Sequence, residues 1–401
     1  MTLEDICLNG ITCYTRRDLI LYALGIGCCN TSDKRSNNDG DGDGDDDELR
    51  YVYEHHASFS PFPTFPLALF FRAREISNND GGSDFGMPPF PPHMMEKMNI
   101  SDFIEKNLLN RNKDRKQEKA TTVETIIHLS EKLRLHHTIP NTSGTTFVKV
   151  ETHLISIQPK RIGIIVVTET KYYIQSNDEM INHNGNSGGI LMATSESTTL
   201  YILKTSQSSG AIPLQPMYNK TYESSLKSPT LSKQKITNWM KKNKPNFIVS
   251  QTIPKNQALI YRLSGDTNSI HVVVSGDSKS SMPLSFHRPI LHGLCTLGYS
   301  VRVIMQYCNQ LCEKENCKEP EFQYVLCQFV KPIFIGDEVE VFVWVYGNND
   351  IQQGESISKR LFLLFQVRRT SDQSILVNNG LVEVKYSAAL AKCKEKLNSK
   401  L

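Results

Sequence analysis

Three polar side chains with complementary proton chemistry fall within six positions of the sequence: Asp266, Asn268 and His271, in YRLSGDTNSIHVVVS (261–275). A carboxyl and an imidazole beside one water can between them take a proton from it and deliver a proton elsewhere. They converge only where the chain bends between them, and Ser264-Gly265-Asp266 supplies a turn. Asn268 adds a neutral donor and acceptor able to orient the water. Adding water across an activated double bond also develops negative charge on a neighbouring carbonyl oxygen, which calls for a backbone N–H at a helix start. Gly293 opens an apolar stretch and has no side chain to obstruct that approach. A capped turn with no reaction to perform would show the same residues, because Asp and Asn readily bond their own backbone. Spacing alone leaves both readings open.

The elements that must position these residues are partly readable. YTRRDLILYALGIG (14–27) predicts a helix, with Thr15 as cap and Leu19, Tyr22, Ala23 and Ile26 at helical spacing. Residues 151–173 predict two long strands with a turn near Pro159–Lys160, and 188–204 another. The run from Thr205 to Lys244 is rich in Ser, Lys and Pro, loses periodicity, and reads as a connector between two halves. Pro289 to Leu311 is apolar on nearly all sides, which predicts a buried helix. FQYVLCQFV, DEVEVFVWVYG, SKRLFLLFQVRR and SILVNNGLVEVKY follow as strands, with a turn at RTSDQS. One buried helix followed by an antiparallel sheet is an α+β layout, a helix wrapped by a curved sheet.

Two stretches read as inserts: the Asp/Gly-rich low-complexity run from Asn30, and SNNDGGSDFGMPPFPPH (77–93). The first only superficially imitates a calcium loop, because Arg50 stands where the twelfth position requires a bidentate Glu. Gly25-x-Gly27 follows a helix rather than a strand and lacks a third Gly at Asn30, so it is not a dinucleotide loop.

With 401 residues the chain has room for two domains, and a net charge of +3 gives no footprint for nucleic acid. No run of about 18 apolar residues suggests a membrane span, and MTLEDICLNG lacks the layout of a secretory signal. The ten Cys show no framework spacing. Cys308, Cys312 and Cys317 lie close together but lack the paired spacing and His ligands of a metal site, so reduced thiols are expected and no metal is assigned. The last three residues, Ser399, Lys400 and Leu401, form the S-K-L tripeptide read by the peroxisomal import receptor. The peroxisomal matrix is the expected location, with that receptor as a partner.

YRLSGDTNSIH followed by PILHGLCTLG closely resembles the signature of hydratase 2, the (R)-specific enoyl-CoA hydratases of the MaoC-like, hot-dog-fold family, which includes the hydratase part of the peroxisomal multifunctional enzyme type 2. YTRRDLILYALGIG, ELRYVYEHHASFSPFPTFP and FVKPIFIGDEVEVFVWVYGN are similar to the corresponding parts of the double-hot-dog version. The resemblance implies an α+β double hot-dog fold of two repeats, each a long buried helix in a curved antiparallel sheet. It implies an N-terminal repeat over 1–204 that accommodates the acyl chain, with disordered inserts at 30–47 and 77–93. A connector over 205–245, a catalytic repeat over 246–388 and a tail over 389–401 complete the division.

The implied activity is a hydro-lyase of peroxisomal fatty-acid beta-oxidation, adding water reversibly to trans-2-enoyl-CoA to give (3R)-3-hydroxyacyl-CoA. No cofactor is expected, CoA being part of the substrate. Asp266 and His271 match the family's acid–base pair, Asn268 its water-positioning residue, and Gly293 its backbone donor to the thioester oxygen. Glu54 and His292 are the substrate-binding candidates. An exposed or salt-bridged role for Glu54 and a local capping or structural role for His292 are the alternatives. The chain departs from the family pattern at Thr267 and Ser269, in HVVV after His271, and in a longer stretch from there to Pro289, which alters the mouth of the site. The dehydrogenase and sterol-carrier parts are absent, so a stand-alone hydratase, monomeric or homodimeric, is expected. A hot-dog acyl-CoA thioesterase and a non-catalytic acyl-CoA-binding protein are the competing readings.

Overall fold

The computed structural model describes residues 7–29, 34–35, 46–75, 122–175, 189–204, 224–226, 232–273, 288–314, 320–346 and 359–386. Its strands are β1 (Cys7–Tyr14), β2 (Lys34–Arg35), β3 (Arg74–Glu75), β4 (Thr122–Leu135), β5 (Thr146–Lys160), β6 (Gly163–Gln175), β7 (Ile190–Lys204), β8 (Phe247–Thr252), β9 (Glu321–Phe329), β10 (Glu338–Tyr346), β11 (Lys359–Arg369) and β12 (Ile375–Tyr386). Its helices are α1 (Arg16–Gly25), α2 (Asp46–Val52), α3 (Pro66–Leu69), α4 (Lys233–Lys242), α5 (Gln257–Tyr261) and α6 (Gly293–Lys314). The strands form one antiparallel sheet in the order β2-β8-β10-β11-β12-β9-β4-β7-β6-β5-β1-β3.

That order mirrors itself about the β9–β4 pair. On one side run β9, β12, β11, β10, β8; on the other β4, β7, β6, β5, β1. Apart from the two-residue β2 and β3, in chain order each half is one strand, a helical stretch and four strands, so the halves are topological copies and their sheets join through Ser130–Arg134 against Tyr324–Gln328. This is the expected α+β pair of hot-dog repeats.

The two helices differ. The 22 residues of α6 bury an unbroken run from Leu294 to Met305, matching the helix predicted to be apolar on all sides. Among the described residues the longest helix of the N-terminal half is α1, with 10 residues, where a long helix was expected in both repeats. Its first turn is fixed by Asp18, whose carboxylate accepts from the Thr15 N–H at 2.8 Å and from Thr15 Oγ1 at 3.0 Å, and pairs with Arg72 at 2.9 Å. At its other end the carbonyls of Leu24 and Gly25, in the last turn, accept from Gln257 Nε2, and that of Gly25 also from Cys295 Sγ. The C-terminal half thus caps the N-terminal helix. Gly298 makes the contact possible: a Cβ there would sit 2.3 Å from Ile26 Cγ2.

Three expectations about boundaries change. Within 30–47, Lys34–Arg35 pair with β8 and helix α2 begins at Asp46; the rest of that insert lies outside the described residues, as do 77–93 and the tail 389–401. The connector 205–245 contains α4, whose Ile236 and Met240 pack with Leu226 on Tyr324, Trp344 and Leu364 of the sheet's outer face. The apolar residues of α4 are only Ile236, Trp239 and Met240, a single short stripe among lysines, too few to show a period. The turn between β5 and β6 falls at Arg161–Ile162, just past the Pro159–Lys160 expected from sequence.

Candidate active site

Helix α5 runs into a single 3-10 turn, Arg262–Ser264, and stops at Gly265, whose φ of +133° few other residues tolerate. The N-terminal half closes on this glycine, since a Cβ there would approach Arg72 Cγ to 2.8 Å and Phe71 Cβ to 3.1 Å. The chain then reverses through Asp266–Asn268 into a second 3-10 turn, Ser269–His271. Asp266 Oδ1 accepts from the Asn268 N–H at 3.2 Å, and Asn268 Oδ1 accepts from the Ile270 N–H at 3.3 Å. The capped-turn reading is therefore geometrically real. Each side chain spends one oxygen on it, and both residues still stand in the wall of a cavity.

That cavity, about 350 Å³, is of ligand-binding size. Its wall brings together Asp266, Asn268, His271 and Gly293 with Leu291 and Ile333 from the C-terminal half, and Phe70 and Phe71 from the N-terminal half. A carboxylate oxygen of Asp266 and a ring nitrogen of His271 lie within 4.8 Å of each other, a gap that one water can bridge. His271 Nδ1 is 2.9 Å from the carbonyl of Ile290. A carbonyl only accepts, so Nδ1 carries the proton and Nε2 of the neutral ring keeps a lone pair. Burial lowers the His271 pKa, against the raising effects of Asp266 and the Ile290 carbonyl, and keeps the ring in that neutral form. Gly293 is the first residue of α6, where backbone N–H groups lack helical partners; the earliest bond closing this end runs from the Thr296 N–H to the His292 carbonyl at 3.0 Å.

Both substrate-binding candidates are placed elsewhere. Glu54 sits in an exposed turn after α2, 4.0 Å from the ring of the still more exposed His55, and it does not line the cavity. Its neighbour in sequence, Glu48, is the buried acid of that segment. His292 is buried behind the wall, with Nε2 3.2 Å from the Asp266 carbonyl and its ring stacked on His271. It holds the loop rather than facing a ligand, close to the structural role offered as its alternative.

Asp266, His271 and His292 also bring one potential ligand atom each to within 4.8 Å of one another. The Ile290 and Asp266 carbonyls each engage one ring nitrogen, His271 Nδ1 and His292 Nε2, and so set how the two stacked rings are oriented. Cys308 is a buried thiol that forms no disulfide, as are Cys13, Cys28, Cys295 and Cys327, and Cys29 is a half-buried one. No described helix is long and apolar enough to cross a membrane.

Sequence reading missed the far wall of the cavity, where His128 and Glu131 of β4, Thr168, Thr170 and Tyr172 of β6, and Ser195, Ser197 and Thr199 of β7 face inward. The one available signal was a glutamate in register with Leu133, on the inward face of a strand whose other face carries Lys132 and Arg134.

Two family descriptions match the chain: a MaoC like domain over residues 237–361 and an MFE-2 hydratase 2 N-terminal domain over 13–88. Peroxisomal multifunctional enzyme type 2 from Drosophila melanogaster is 25% identical over 340 residues, covering 83% of this chain and 42% of that protein. Its Mus musculus counterpart is 24% identical, covering 92% and 36%. The chain thus spans less than half the length of these two relatives. The peroxisomal enoyl-CoA hydratase 2 of Arabidopsis thaliana is 24% identical, covering 85% of this chain and 84% of that one. Among solved structures, a MaoC-like dehydratase from Phytophthora Capsici superposes with a TM-score of 0.53 at 21% identity, covering 94% of both chains. Full-length multifunctional enzyme type 2 from Drosophila melanogaster gives 0.53 at 20% identity, covering 94% of this chain and 48% of that one. These two share the fold.

Proposed function

From a chain that belongs to the MaoC-like hydratase 2 family, carrying both its N-terminal and its MaoC-like domain, we propose an (R)-specific 2-enoyl-CoA hydratase. The observation that carries the reading is the convergence of Asp266, Asn268, His271 and Gly293 on one cavity wall. A water held between Asp266 and His271 adds its oxygen to C3 of a trans-2-enoyl thioester. Its proton passes to the neutral His271 Nε2 or to the Asp266 carboxyl, and that group returns a proton to C2. Asn268 orients the water. Charge that builds on the thioester oxygen is met by the Gly293 N–H at the start of α6. The reaction needs no metal or nucleotide, and CoA arrives as part of the substrate. The relatives' names place them in peroxisomes, and the same compartment, with a role in beta-oxidation and import through Ser399-Lys400-Leu401, is proposed here.

The test is incubation with crotonyl-CoA, following the conjugated thioester absorbance and free thiol together, then chiral analysis of the product. Hydratase chemistry removes the absorbance without releasing thiol and yields (3R)-hydroxybutyryl-CoA. Thiol release points to a thioesterase, silence to a binding protein, and a mainly (3S) product to a different hydratase class.

A further inference from the structure

The inner faces of the two half-sheets carry opposite chemistry. In the C-terminal half, Val341, Val343, Leu363, Phe365 and Val382 are buried in one core with α6. In the N-terminal half the cavity wall is a polar ladder. Register places Thr168 opposite Ser197 and Ser197 opposite Glu131; the row above is Thr170, Ser195 and Leu133, and the row below Val166, Thr199 and His128. An inward strand face ordinarily supplies apolar packing, so a run of hydroxyls there calls for a polar counterpart.

Glu131 lies deepest, at 1% exposure. Its Oε2 accepts from Ser197 Oγ at 2.5 Å and lies 2.9 Å from His128 Nε2, while Oε1 has no partner among the described residues. Thr168, Ser197, Thr199 and His128 around it are only half-buried and front the same void as Asp266 and His271. Resting on the hydratase reading above, we propose that this wall is a second polar subsite that selects an acyl chain bearing a hydroxyl group remote from the thioester.

A hydroxyl donates one hydrogen bond and accepts others, which suits an unfilled carboxyl oxygen flanked by Ser and Thr hydroxyls. A plain alkyl end would desolvate that wall and leave it unpaired. Burial also pushes the Glu131 carboxyl upward in pKa, against the lowering effect of His128 and Ser197. Phe70, Phe71, Leu291 and Ile333 give the aliphatic middle of the chain its apolar surroundings.

The experiment compares matched pairs of trans-2-enoyl-CoAs of increasing length, with and without a terminal hydroxyl, using crotonyl-CoA as the short reference. At the length that reaches the wall, kcat/KM for the hydroxylated member should exceed that of its plain partner by about tenfold or more. Glu131→Leu and Ser197→Ala should each move that ratio towards one, chiefly through KM. If Glu131→Leu does not fold, Ser197→Ala alone carries the comparison. Crotonyl-CoA turnover with a ratio near one at every length, or a ratio unchanged in the folded variants, overturns the subsite. No turnover of any enoyl-CoA, crotonyl-CoA included, marks failure of the hydratase reading itself and removes the subsite with it.

Discussion

The imidazole of His271 stacks on that of His292 with ring centroids 3.6 Å apart and planes 25° from parallel. Each ring is also fixed by a backbone carbonyl, Ile290 for His271 and Asp266 for His292. Two buried rings in contact cannot both take a proton cheaply. Burial lowers the pKa of each below 6.5, and for His292 the neighbouring His271 lowers it further. One stack therefore holds the loop and fixes the tautomer of the ring that faces the cavity.

A pH dependence of stability follows. Between the unfolded value of about 6.5 and the lower folded values, the unfolded chain binds protons that the folded chain refuses, so unfolding free energy falls as pH falls. Thermal melts from about pH 7.5 down to about pH 5 should show a declining midpoint, with a shallower slope in His292→Phe, which removes the more strongly shifted ring. Equal slopes in the two proteins would contradict this. On the proposed mechanism hydration should correspondingly persist below pH 6.5, since burial lowers the His271 pKa.

Arg302 lies in the buried middle of α6, and its Nη1 is 3.0 and 3.2 Å from the two carboxylate oxygens of Glu48 in α2. The same carboxylate accepts from the Cys29 N–H at 2.5 Å and from Gln306 Nε2. Removing one member strands a buried charge, so Arg302→Met should cost about 3–5 kcal/mol in denaturant unfolding. Arg302→Met combined with Glu48→Leu should recover much of that loss. A double variant as unstable as the single would show that the pair is not the source of the cost.

The loop at the site was legible because its residue types have few other uses: glycine for a positive φ, then Asp, Asn and His in close succession. Helix α6 was legible because a run of apolar residues on every face has nowhere to go but the core. Strand β4 was not, although it joins the two halves. Its Glu131, Lys132 and Arg134 interrupt the apolar alternation that marks a strand, because Lys132 and Arg134 pair on the outer face with Glu196 and Glu383 while Glu131 serves the cavity. Strand β8 was too short to show a period. Arg302 was hidden for the opposite reason: its partner Glu48 lies 254 residues away, at the edge of a low-complexity stretch.

Localisation should depend on Ser399-Lys400-Leu401 when Leu401 is the free carboxyl terminus. A fluorescent protein fused to the N-terminus should then give punctate peroxisomal signal, and deletion of the three residues a diffuse one. Peroxisomal signal in the deleted form would mean that another segment directs import.

The role of the Asp266–His271 pair is most directly tested by the single-turnover hydration rate of Asp266→Asn, measured per folded molecule alongside its thermal stability. A shared catalytic water predicts a fall of about 10²–10⁴-fold in rate, a similar fall for His271→Ala, and little further loss in the double variant. Asn268→Ala should lose less than either. A turn that merely caps its own backbone predicts the reverse, a stability loss of about 0.5–2 kcal/mol with turnover intact. Wild-type turnover in folded Asp266→Asn would contradict an active site at this loop.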